Sequence, residues 1–120
     1  MRCVVGEGEK AANEKLLYFV GRAAVVYYPR LAEQRLYLEH EQEICCLAID
    51  KSFTLAATGE LSDRPAIHIW CIKTLSNVML LSNSHRYPIS HLLFLRNERG
   101  VVSGSTHQSG AGSTILVHSL

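Results

Sequence analysis

The stretch Ile44–Thr74 reads ICCLAID-KSF-TLAATGE-LSDRP-AIHIWCIKT: three short apolar runs parted by turn residues, the third holding the chain's only tryptophan, Trp70. Ile44–Ile49 is rich in β-formers and cysteine, Thr54–Thr58 stops at Gly59, and Ala66–Ile72 follows Pro65. A proline just before a strand is tolerated, because no ladder hydrogen bond is lost there. Each run is too short for a helix. Both breaks, Asp50-Lys51-Ser52 and Ser62-Asp63-Arg64-Pro65, carry turn chemistry. The stretch therefore predicts three antiparallel strands.

Working outward, the pattern returns 45 residues later. His40 pairs with His85, Ile44 with Ile89, Leu47 with Leu92, Thr58 with Ser103 and Gly59 with Gly104. The third strands match after three further residues, IHIWCI (67–72) over ILVHSL (115–120). Apolar coincidences arise by chance; a histidine, a hydroxyl and a glycine in the same register do not arise so easily. A repeat of about 40–45 residues with four strands is the period of WD-type propeller blades. The expected fold is all-β, a WD-type β-propeller fragment of about two blades plus part of another, each a four-stranded antiparallel sheet. The expected division is a partial blade at 1–38, a blade at 39–82, and a blade lacking its outer strand at 83–120.

Upstream, LLYFV (16–20), a Gly21-Arg22 turn and AAVVYY (23–28) suit a type II′ hairpin. They would be the second and third strands of the first blade, with Tyr27 near the position of Trp70 and Arg2–Val5 as the first strand if it is present. Gln34–Leu38 and Asn77–Leu81 are expected as outer strands. Ile89–Leu95, Val101–Ser105 and Ser113–Leu120 begin the next blade, with Thr106–Gly112 as a polar loop. A closed propeller has at least about four blades of about 40 residues. The 120 residues are too few to close one, so the remaining blades are expected from the same or another chain.

Composition narrows the function classes. Twelve Lys and Arg against eleven Asp and Glu leave a formal net charge of +1, which gives no reason to expect nucleic acid. No stretch reaches the roughly 18 apolar residues of a membrane helix, and MRCVVGEGEK does not read as a secretory signal. Cys3, Cys45, Cys46 and Cys71 lack framework or CxxC spacing, which favours reduced thiols inside the cell. On a regular strand Cys45 and Cys46 face opposite ways, as do His68 and Cys71, so neither pair is expected to chelate a metal. Cys71 and Cys46 lack an adjacent base on the same face. Ser103 lacks the glycine two residues before it that a nucleophile elbow requires, and Gly6–Lys10 lacks phosphate-loop spacing. No catalytic residue, no cofactor and no metal are expected.

With these residues in hand the chain resembles the WD-repeat proteins. In that family a histidine before the first strand joins a hydroxyl on the second, a tryptophan on the third and an aspartate in the turn between them. The resemblance implies a structural network of His40, Thr58, Asp63 and Trp70, with His85 and Ser103 in the second copy. Such a network lets buried polar groups satisfy one another. The second copy has His118 in the tryptophan position, Cys71 stands where the family's aspartate follows the tryptophan, and Glu39 and Ser84 stand where glycine precedes the histidine.

A narrower resemblance, from Leu16 to Leu120, is to the echinoderm microtubule-associated-protein-like family and related cilia- and flagella-associated WD-repeat proteins. It rests on YFVGRAAVVYY, H-xxx-ICCLAI, Ala57-Thr58-Gly59 and the Pro65–Trp70 strand in that order. It implies a non-catalytic protein-binding scaffold on microtubules or the axoneme, with cytoplasmic, cytoskeletal or ciliary localisation. The alternative is a WD-repeat adaptor in another complex, such as a ubiquitin ligase or trafficking coat. Trp70 reads as core rather than hot spot, and His40 and His85 as network members rather than pH switches. The loops Glu39–Glu43, Glu60–Pro65, Asn83–Pro88 and Thr106–Gly112 would share one face. There Arg64, Arg86, Tyr87 and His107 are the candidate protein-binding residues.

Overall fold

The computed structural model describes residues 3–6, 15–82, 85–95, 100–106 and 113–119. They form three antiparallel sheets in which each strand pairs with its sequence neighbour. The first holds β1 (Cys3–Gly6), β2 (Lys15–Val20), β3 (Ala23–Tyr28) and β4 (Glu33–Tyr37). The second holds β5 (Ile44–Ile49), β6 (Leu55–Glu60), β7 (Ile67–Cys71) and β8 (Asn77–Leu81). The third holds β9 (Ile89–Phe94), β10 (Gly100–Thr106) and β11 (Ser113–Ser119). Among the described residues no helix is long and apolar enough to cross a membrane. The expected polar loop after Thr106 lies outside the described residues.

Local sequence explains the connections. Gly21 takes a φ of +58° and Arg22 does not, the assignment a type II′ turn requires between β2 and β3. The β5–β6 turn is tied by Asp50, whose carboxylate accepts the Thr54 and Leu55 N–H groups at 2.7 and 3.0 Å. Arg2–Val5 shifts by one residue to become β1, which pairs with β2 through Cys3↔Tyr18 and Val5↔Leu16.

The middle sheet is covered on both faces. Toward the first sheet, Ile44, Leu47, Ala56, Trp70 and Ile72 pack on Leu17, Ala24, Val26 and Tyr37. Toward the third, Ala57 and Ile69 meet Phe94 and Val101, and Cys46 and Ile67 meet Ile89. Side chains alternate along a strand, so Thr58 and Glu60 lie on the Ala56 face, and His68 on the Trp70 face. All three therefore point toward the first sheet.

One expectation about the strands is corrected. The β5–β6 register slips between Ile44↔Glu60 and Cys46↔Gly59, leaving Cys45 as the extra residue of a bulge. The bulge turns both Cys45 and Cys46 toward the third sheet, where the Cys45 thiol donates to the Ile89 carbonyl at 2.9 Å. They do not face opposite ways, because a bulged residue breaks the alternation. The same slip recurs 45 residues on, between Ile89↔Ser105 and His91↔Gly104, with Ser90 as the extra residue. The repeat thus extends to a backbone irregularity.

Gly59 lies hard against Ile89 of the third sheet. A Cβ there would lie 2.9 Å from both Cβ and Cγ2 of Ile89, inside any real contact. Gly59→Ala is expected to cost about 1–3 kcal/mol by overpacking. Ile89→Ala in the same chain should recover part of that loss, which denaturant titration of the double-mutant cycle will measure.

Candidate functional site

The polar residues on the inner face of the middle sheet form one connected group. His40, in the loop between β4 and β5, reaches under β6. The chain of donors runs in one direction. Trp70 Nε1–H donates to Thr58 Oγ1 at 3.2 Å, the Thr58 hydroxyl donates to His40 Nε2, and His40 Nδ1–H donates to Glu60 Oε2 at 2.9 Å. Glu60 also accepts the Ala66 N–H at 3.0 Å and the Glu41 N–H at 3.3 Å. A second branch joins His68 Nδ1 to the Tyr37 hydroxyl at 2.7 Å, and Asn77 Nδ2–H donates to the same hydroxyl at 2.9 Å. The Tyr37 ring stacks on Trp70, centroids 4.5 Å apart and nearly parallel. Among the described residues no buried side-chain nitrogen or oxygen lacks a partner.

Of the residues expected in this network, His40, Thr58 and Trp70 are brought together and Asp63 is not. Asp63 is exposed, and the hydrogen bond recorded for its carboxylate is from the Ser62 hydroxyl at 3.5 Å. Glu60 stands in its place. By accepting the Ala66 N–H, Glu60 closes the base of the 61–65 loop and leaves Asp63 at the outer end. In the third sheet His85 Nε2 meets Ser103 at 2.7 Å, its Nδ1 meets Ser105 at 3.0 Å, and Ser103 meets His118 at 2.7 Å. Ser105 lies 45 residues after Glu60, so a neutral hydroxyl replaces the carboxylate there. Sequence reading missed Glu60, Ser105, Tyr37 and His68. The 45-residue offset could have found the Glu60–Ser105 correspondence.

Burial sets the charge states. Desolvation lowers the His40 pKa to about 4, against the opposing hydrogen bond to Glu60, and desolvation also lowers that of His68. Burial by itself would raise the Glu60 pKa, but the His40 and Ala66 hydrogen bonds outweigh it and hold the carboxyl below its ordinary range. The order hydroxyl–imidazole–carboxylate is that of a nucleophilic triad. Thr58, however, is fully buried and its oxygen is also held by the Trp70 N–H, so a substrate has no approach to it. The group is built to join strands. His40, Glu60 and His68 also place one possible ligand atom each within 4.8 Å of one another.

His85 and His118 give the site a pH signature. Desolvation lowers both pKa values below the ordinary 6.5, and for His85 the neighbouring His118 adds to the shift. Between the folded values and 6.5 the unfolded chain binds more protons than the folded one. Stability from these residues is therefore complete above about pH 6.5 and is lost as the pH falls. Urea midpoints measured at about pH 7 and about pH 5 should differ less in His85→Gln than in the parent.

The candidate contact residues border this core, Arg64 lining a cleft that reaches Glu60 and His68. Arg64 and Arg86 line one cleft of about 410 Å³ with Asp63 and His85, and Tyr87 beside them is exposed. His107 lies outside the described residues.

Three stacked sheets, the recurring bulge and the His–Thr–Trp group define a section of a WD-type β-propeller. The chain is similar to echinoderm microtubule-associated protein-like 2 of Homo sapiens, 33% identical over 75 aligned positions, covering 56% of this chain and 12% of that protein. The proteins of the same name from Rattus norvegicus and Mus musculus match at 31% over the same coverage, so the chain spans about an eighth of these relatives. No family model matches. A chain in the crystal structure of a mitotic checkpoint complex superposes with a TM-score of 0.66 at 12% identity, over 80% of this chain and 28% of that one, which is a likeness of fold.

Proposed function

We propose that this chain is part of a WD-type propeller that serves as a non-catalytic protein-binding scaffold on microtubules, including those of the ciliary axoneme. One observation carries the reading: the 33% identity to a relative whose name states microtubule association. In this reading the sheets are blades within 1–38, 39–82 and 83–120, completed by further blades of the same or another chain. His40, Thr58, Glu60 and Trp70, with His85 and Ser103, hold strands together and contact no partner. Arg64, Arg86 and Tyr87 are the proposed contact residues, because two guanidinium groups share an open cleft beside an exposed aromatic ring. Guanidinium groups suit an acidic protein surface.

Co-sedimentation of the intact protein with polymerised tubulin tests this. Binding at moderate salt that falls in an Arg64→Ala/Arg86→Ala variant of unchanged fold is the expected result. No binding above control removes the cytoskeletal assignment and leaves a scaffold in another assembly.

A further inference from the structure

We propose that His40, Glu60 and His68 form a binding site for a divalent transition metal of the zinc class, which staples the loop before β5 to β6 and β7. The three donors come from three separate segments and converge. His40 Nδ1 lies 2.9 Å from Glu60 Oε2, and His68 Nε2 lies 4.0 Å from the same oxygen. Zinc bonds of about 2.0–2.2 Å place tetrahedral neighbours roughly 3.3 Å apart, so the two distances bracket what the metal needs. Side-chain shifts of under about 1 Å would complete the geometry. Each of the three residues is at most 6% exposed, so the donors are held by packing rather than splayed into solvent.

The outer contacts match what metal-bound imidazoles require. A ligating histidine uses one nitrogen for the metal and gives the proton on the other to an acceptor. Here the remote nitrogens already meet hydroxyls, His40 Nε2 at Thr58 and His68 Nδ1 at Tyr37. A hydroxyl oxygen has two lone pairs, so Thr58 accepts from His40 as well as Trp70. Loading switches the His40 tautomer: the proton leaves Nδ1 and Nε2 carries one instead, with no net change in charge on the ring. Glu60 keeps its Ala66 N–H on the other carboxylate oxygen. A cleft of about 410 Å³ lined by Glu39, Glu41 and Arg64 reaches Glu60 and His68, giving a cation a way in past two carboxylates and one guanidinium and leaving room for a water as fourth ligand. The third sheet is a natural contrast. Ser105 and Leu116 occupy the positions of Glu60 and His68, so the carboxylate and the second imidazole of the set are missing from those positions beside His85.

The test is a titration of the chelator-treated intact protein with Co²⁺. Tetrahedral visible absorption saturating near one equivalent, and displaced by Zn²⁺, is expected. His68→Gln keeps a hydrogen-bonding group near Tyr37 and should weaken binding by more than the roughly 10–100-fold that a lost outer contact costs. His91→Gln, at an exposed histidine, should leave the titration unchanged. Zn²⁺ should also raise the thermal midpoint of the parent and not of His68→Gln. A folded parent with no tetrahedral Co²⁺ spectrum overturns the proposal. So does equal affinity in His68→Gln, which would assign the ion to surface histidines.

Discussion

Trp70→Ala is expected to remove about 4 kcal/mol of stability. The indole is fully buried, stacks on Tyr37 at 4.5 Å, and packs among Leu17, Val26, Ala56 and Ile72. Truncation opens a cavity between the first two sheets and leaves the Thr58 oxygen with one donor fewer. Domains of this kind are stable by only about 5–15 kcal/mol, so a large share of the total is at stake. Trp70→Phe keeps the stacked ring and loses the N–H bond to Thr58, which should cost only about 1–2 kcal/mol. Urea unfolding followed by circular dichroism separates the two, since the chain has no second tryptophan to report by fluorescence. Equal losses would mean that the indole nitrogen, and not the packing, carries the effect.

Glu60→Ala is expected to cost roughly 3 kcal/mol, while Asp63→Ala should stay within about 0.5 kcal/mol of the parent. Glu60 accepts from the His40 ring and from the N–H groups of Glu41 and Ala66, and its removal strands all three. An unsatisfied buried donor costs its full desolvation, which is why one carboxylate has so large an effect. Asp63 is exposed at the far end of the same loop, where water replaces whatever it loses. Comparing the two variants by denaturant midpoint asks which acid anchors the histidine. A larger loss in Asp63→Ala would restore the family's usual arrangement.

The strands were legible because their physics is local. Runs such as Ile44–Ile49 and Ala23–Tyr28 are β-rich, short and bounded by turn residues, and the 45-residue register carried the pattern across two sheets. The network was legible where the register held a hydroxyl beneath a histidine, at Thr58 and Ser103. It failed at Asp63, because the path of a loop depends on which residue closes its base, and Glu60 reads in the sequence as an ordinary strand-end charge. The opposed cysteines failed for a related reason: Cys45 is an extra residue in the ladder, and a bulge has no dependable composition. Tyr37 and His68 are 31 residues apart, and nothing in one strand announces the other. The convergence of His40, Glu60 and His68 was hidden in the same way, since pairs close in the chain are the ones that spacing arguments examine.

Burial of the middle sheet on both faces constrains how this chain can diverge. From Ala56 to Glu60 every residue of β6 is enclosed, so that segment has no neutral position at which drift is free. A larger residue at 59 needs a smaller one at 89, and a change at 58 needs one at 40 or 70. In β8, where Val78 and Leu80 are exposed, substitutions can accumulate one at a time, whereas Asn77 is tied to Tyr37. Among related chains, variation along β6 should come in matched pairs, and variation along β8 singly.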